Sequence, residues 1–66
     1  MNIILNNVHE EAQDGHTVKQ LLDYKKIHNK YIAVEINRKI IPKSNYHKHK
    51  IHEGDRIEII TAIGGG

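Results

Sequence analysis

The sequence predicts an α+β fold: a mixed sheet of four to five strands with one main helix on one face. Three observations predict it. "YIAVEIN" and "RIEIITAI" each alternate apolar and polar residues with the period of a strand that buries one side. "HTVKQLLDYKKIHN" places Val18, Leu21 and Leu22 at helical spacing. And 66 residues leave room for one helix layer on one sheet, with a core that buries only about 60% of the unfolded surface.

The elements follow in order. "NIILNNVHEEAQ" reads as a hairpin: Ile3 and Leu5 alternate with Ile4, and Asn6-Asn7 supplies the positive φ angles of a two-residue turn. Val8 to Ala12 is the return strand, polar enough for a sheet edge, and Asp14-Gly15 ends it in a turn. Thr17 with Gln20 three residues later is a capping-box pattern, in which each side chain serves a backbone N–H that has no helical partner. Lys25 takes the next place on the apolar stripe, where its aliphatic stem can cover the core, so the helix spans two to three turns with Asn29 as its stop.

Ile32, Val34 and Ile36 share one face of the next strand, with Tyr31, Ala33 and Glu35 on the other. Asn37-Arg38 turns the chain into a short strand, Lys39 to Ile41, which Pro42 terminates. "KSNYHKHKIHEGD" is a polar loop anchored by Tyr46 and Ile51 and closed at Gly54-Asp55. In the last strand Ile57, Ile59, Thr61 and Ile63 form one face. Pairing the first and last strands in parallel at the centre flanks both and lets the helix cover one side. That is the β-grasp, or ubiquitin-like, architecture, expected over residues 1–63, with a flexible glycine tail at 64–66.

Composition narrows the function. Ten Lys+Arg against eight Asp+Glu give a formal charge of +2 without a long block of one sign, and three tyrosines are the only aromatics. A nucleic-acid binder needs a denser basic stripe and more stacking surface. The absence of cysteine excludes disulfides, thiolate catalysis and zinc–thiolate sites. "MNIILNNVH" holds only three adjacent apolar residues, too few for a signal peptide or membrane span, so a soluble cytoplasmic protein is expected.

Side-chain chemistry is sparse. His47, His49 and His52 cluster in "YHKHKIH", but this spacing fixes no tetrahedral set, and Lys48 and Lys50 add opposing charge. Glu10 and Glu11 alternate across a strand, while Glu53 and Asp55 read as turn chemistry beside Gly54. Thr17 beside His16 is spent as a helix cap, and Ser44 near Tyr46 is an ordinary loop residue. No metal, no bound cofactor and no side-chain catalyst are expected.

The ending "ITAIGGG" is different. Gly64, Gly65 and Gly66 follow a strand without a linker. Glycine packs nothing and costs order, but a backbone without Cβ threads a narrow channel in another protein. A terminal carboxylate is ionised at neutral pH and is a poor electrophile. Coupled to AMP, it becomes a mixed anhydride open to attack by sulfur or an amine. Gly66 is therefore the candidate reactive residue, with Gly64 and Gly65 as the threading segment.

At these residues the chain resembles a known family over essentially its whole length. "DGHTVKQLL" is similar to the helix start of the ThiS family of thiamine-biosynthesis sulfur carriers. "VEINRKIIPKSNY" resembles its AxNxxxVPRSxW segment, and "IHEGDRIEIITAIGGG" its ending in Gly-Gly. Tyr46 stands where tryptophan is usual, Lys43 where arginine is usual, and Arg38 at a turn position often held by glycine. The resemblance implies a carrier rather than an enzyme. An E1-like activating enzyme (ThiF) consumes ATP to adenylate Gly66, and a cysteine desulfurase or related donor supplies sulfur as a persulfide. Thiazole synthase (ThiG) then takes that sulfur from the C-terminal thiocarboxylate.

Two other readings share the fold: a MoaD-like carrier for molybdopterin synthesis, with the same tail chemistry, and a TGS-type RNA-binding module. Either carrier role needs an apolar patch for its partners. The strands are expected to offer Ile60, Ala62, Ile63, Ala33 and Ile4, with Lys39 and Arg56 orienting a partner from the rim. An outward isoleucine in a central strand, Ile60, is the informative member. Neither nucleic acid nor membrane is expected as a partner.

Overall fold

The computed structural model describes residues 1–28 and 30–61. Five strands, a helix and a single 3₁₀ turn are laid down as β1 (Asn2–Leu5), β2 (Val8–Glu11), α1 (Val18–Tyr24), β3 (Ile32–Ile36), β4 (Lys39–Ile41), the turn Lys43–Asn45, and β5 (Arg56–Thr61).

Short-range chemistry sets most of these boundaries. The β1–β2 hairpin closes through Asn6 and Asn7 at φ 47° and 68°, and the β3–β4 hairpin through Asn37 and Arg38 at φ 51° and 70°. Both have the two successive left-handed residues that match a hairpin's twist, and asparagine tolerates this region better than other non-glycine residues. Arg38 fills a place where glycine is free of strain. β2 ends at Glu11, one residue before the expected Ala12, although the Ala12 N–H still bonds to the Met1 carbonyl at 2.8 Å.

The capping box at α1 forms as expected. Thr17 Oγ1 accepts from the Gln20 N–H at 3.2 Å, and Gln20 Oε1 accepts from the Thr17 N–H at 2.8 Å. Two further first-turn donors are met from the loop before β5: the Val18 N–H donates to the His49 carbonyl and the Lys19 N–H to the Tyr46 carbonyl, both at 2.9 Å. The loop expected to be anchored by Tyr46 and Ile51 is thus also fastened by its backbone across the head of the helix.

The helix stops well before Asn29, which lies outside the described residues. Lys25 is its C-cap and Lys26 turns left-handed at φ 59°. The Ile27 N–H then reaches back to the Leu22 carbonyl at 2.9 Å, and the Lys26 N–H to that of Asp23 at 3.0 Å. This is the Schellman ending, made here by lysine where glycine is the usual signal, so no residue type marks it in advance.

The sheet order is β2-β1-β5-β3-β4. β1 and β5 pair in parallel (Leu5 beside Ile57), β3 and β5 antiparallel (Val34 beside Ile59), and the two hairpins supply the edges. This is the five-stranded β-grasp arrangement, with first and last strands central as expected. Ile3, Leu5, Val34, Ile36 and Ile57 are buried from the sheet, Val18, Leu21 and Leu22 from the helix, and Ile51 from the loop. Lys25 is half-buried, and its Nζ meets Glu10 Oε1 at 2.6 Å between the helix end and β2. Among the described residues no helix is long and apolar enough to cross a membrane.

Candidate functional site

The candidate site is built around β5, whose start is locked by side chains. Asp55 is buried, at 9% exposure. Its carboxylate accepts from Asn37 Nδ2 at 3.0 Å and from the His52 N–H at 2.8 Å. Asn37 Oδ1 in turn accepts from the Arg56 N–H at 3.0 Å, and the Gly54 N–H donates to the Asn2 carbonyl at 2.7 Å. Gly54 itself sits at φ 82°, a conformation that strains any residue with a side chain. Glu53 Oε1 accepts from the Asn2 N–H at 3.0 Å. The Glu53/Asp55 pair is therefore structural, as its turn position suggested.

Farther along, β1 ends but its pairing with β5 continues through a side chain. Asn6 Oδ1 accepts from the Ile59 N–H at 2.8 Å, and Asn6 Nδ2 donates to the Ile59 carbonyl at 3.3 Å. The carboxamide takes the place of one further peptide unit. Beyond Ile59 only β3 runs beside the strand, with Ile60 opposite Ala33 and Thr61 opposite Ile32.

The face of the sheet away from α1 holds the expected partner residues that are described. Ile60 is 47% exposed, while Ala33 and Ile4 are half-buried. Ala62, Ile63, Gly64, Gly65 and Gly66 lie outside the described residues. Between Ile60 and Ile4 the same face carries Glu58, directly opposite Glu35, and then Arg56, opposite Ile4. Two like charges facing each other weaken a strand pair, so this face sacrifices some sheet stability.

Two points depart from the sequence reading. Ile40, opposite Glu35, is 70% exposed on this outer face and was not anticipated; the parity of "KII" against buried Ile41 was the available signal. Lys39 lies opposite Ile36, on the helix side of the sheet, so of the two expected rim cations only Arg56 belongs to the outer face. Arg56 is held by Asn7 Oδ1 at 3.1 Å.

The helix side carries an open groove of about 430 Å³ between the end of α1, the start of β3 and the 3₁₀ turn. Leu22, Ile27, Ile32 and Tyr46 contribute apolar surface to it, and Lys19, Lys30 and Lys43 contribute charge. Burial pushes the Tyr46 phenol up from its ordinary pKa, against the lowering effect of a backbone hydrogen bond at Val34. The loop histidines are spread out: His47 lines the groove, while the His49 carbonyl is spent on α1. Among the described residues no three His, Cys, Asp or Glu side chains gather into a metal-holding group.

A β-grasp domain with its last strand central in the sheet and a partly apolar outer face has the architecture of the small ubiquitin-like proteins. Comparison with known proteins makes this specific. The ThiS family model matches residues 3–66. The sulfur carrier protein ThiS of Bacillus subtilis is 39% identical over 54 residues, covering 82% of each chain. A thiazole synthase of Paramagnetospirillum magneticum is 35% identical over all 66 residues, which span only 20% of that protein's length. The crystal structure of a thiamine biosynthesis protein (ThiS) from Geobacter metallireducens superposes with a TM-score of 0.88 at 25% identity, covering both chains fully. The chain belongs to the ThiS family.

Proposed function

We propose that the chain carries sulfur for thiazole formation in thiamine biosynthesis, with the carboxylate of Gly66 as the reacting group. The carboxylate oxygen attacks the α-phosphorus of ATP on an E1-like activating enzyme, and pyrophosphate leaves. A persulfide from a cysteine desulfurase or related donor attacks the resulting acyl-adenylate and expels AMP. A thiol then cleaves the S–S bond, leaving a thiocarboxylate on Gly66, and the thiol and the donor cysteine are left as a disulfide. Thiazole synthase takes up the sulfur. The domain presents the tail and is recognised through Ile60, Ala33, Ile4, Ala62 and Ile63, while Gly64 and Gly65 thread the partner's channel.

The observation that carries this reading is the family match running from residue 3 through residue 66, glycines included. The thiazole synthase that matches the whole chain supports the choice of acceptor. The reading is tested by incubating the chain with ATP, an activating enzyme and a sulfur donor, and measuring its intact mass. The expected change is one oxygen exchanged for sulfur, abolished by one extra residue after Gly66 with no change in the unfolding midpoint. An unchanged mass with partners shown to be active on another ThiS chain would falsify it. Ile60→Asp is expected to weaken binding to thiazole synthase at least tenfold while altering stability by less than about 0.5 kcal/mol, as for an exposed side chain.

A further inference from the structure

The groove on the helix side is not used by the tail chemistry, and its charge is unusual. Lys19, Lys30 and Lys43 line it against a single acid, Asp23, an excess of +2. That equals the formal charge of the whole chain, ten basic against eight acidic residues, so the other seven of each sign cancel. The groove is thus locally basic, three cations to one acid.

Its geometry argues about the occupant. Lys19 is committed to Asp23, Nζ to Oδ2 at 3.1 Å. Lys43 Nζ donates to the Lys30 carbonyl, which fixes that side chain along the rim. The Lys30 ammonium stands 5.2 Å from the centre of the Tyr31 ring. Beneath these cations lies an apolar floor that includes Leu22, Ile27 and Tyr46. A small anion would find no ring of converging N–H donors, since the first-turn amides of α1 are taken by Tyr46, His49 and Thr17. A drug-sized ligand normally loses about 70–90% of its surface to a site, which an open groove does not achieve. A peptide carrying both acidic and apolar side chains matches both properties of the groove.

Position adds to this. Ile32, on the groove wall, is the register partner of Thr61, the last described residue of β5. The groove therefore lies beside Thr61, on the opposite side of the sheet from Glu35, Glu58 and Ile60. We infer that the groove is a second docking surface, for an acidic segment bearing an apolar anchor on a protein partner. The outer face and the groove differ in sign and lie on opposite sides of the sheet, so one partner can engage while another still holds the tail. This rests on the carrier reading only in supposing that protein partners handle the tail.

The test reads binding and not sulfur transfer, so its failure leaves the carrier reading standing. The amide spectrum of the ¹⁵N-labelled chain is followed by NMR while an eight-residue Glu/Leu peptide is added. A Lys/Leu peptide of the same length and a uridine octanucleotide are the comparison probes. Shifts confined to Leu22, Ile27, Lys30, Lys43 and Tyr46 are expected with the Glu/Leu peptide. Lys30→Glu with Lys43→Glu should weaken that binding at least tenfold and gain binding to the Lys/Leu peptide. Both substitutions are at exposed positions, and an unchanged unfolding midpoint verifies the variant's fold. Absence of shifts at millimolar peptide, or equal binding by the double variant, would overturn the inference. Tighter binding of the octanucleotide, steeply weakened by salt, would also overturn it and assign the groove to nucleic acid.

Discussion

The two ends of β5 are built on opposite terms. At its start, backbone and side-chain groups of Asn2, Asn37, His52 and Asp55 take up the polar atoms around Gly54–Arg56. At its end, pairing with β1 has stopped, one asparagine side chain occupies Ile59, and Ile60 stands 47% exposed. The same strand is thus anchored where it begins and, beyond Ile59, released from β1 while still paired with β3 at Ile60 and Thr61. The contrast shows which residues of the "EGDRIE" and "EIN" segments serve the fold.

Removing the anchor should have the largest effect. Asp55→Ala leaves Asn37 Nδ2 and the His52 N–H without their acceptor in a part-buried place, and the loss of hydrogen bonds to a charged group costs about 3 kcal/mol. A denaturant titration checks it, with a lower midpoint and unchanged slope expected. Sulfur loading of the folded fraction should persist, which separates anchoring from presentation.

Asn6→Ala tests the release end. Loss of both carboxamide bonds to Ile59 is expected to cost about 1–2 kcal/mol. Hydrogen exchange should accelerate at the Ile59 amide and stay slow at Ile57, next to Leu5 in the intact part of the β1 ladder. Equal acceleration at both would show that the strand has no separate release end.

The smallest effect concerns Tyr46, which sits on the loop between these regions. Its phenol is held protonated by burial, so its pKa in the fold lies above the unfolded value of about 10. As pH rises past about 10 the unfolded chain gives up this proton first, and stability falls until the folded pKa is passed; below pH 10 the term is fully present. Tyr46→Phe removes that alkaline slope. Thermal unfolding measured from pH 8 to 11 should show the two chains diverging only above pH 10, with the tyrosine chain losing stability relative to the phenylalanine chain.

How much of this was legible in the sequence depends on the range of the interaction. The Asn6-Asn7 and Asn37-Arg38 turns, the Thr17–Gln20 box and the alternation of Ile32, Val34 and Ile36 are local, and each appears as read. The early helix end was hidden because lysine adopted the conformation that glycine advertises. The roles of Asn6, Asn37 and Asp55 were hidden for another reason: their partners lie up to 53 residues away, and such bonds leave no periodic trace. Of the candidate site, Ile60, Ala33 and Ile4 were placed correctly by parity, whereas Ile40 was passed over because three residues of β4 show too little alternation.

The asparagine clamp at Ile59 has one more consequence. Thr61, two residues past it and paired with Ile32 of β3, is the zero mark of a ruler. From Thr61 to Gly66 there are five residue steps, and a fully extended chain covers at most about 17–18 Å in that length. On the carrier reading proposed above, an enzyme that acts on the Gly66 carbonyl carbon is expected to hold its reacting atoms within that distance of Thr61.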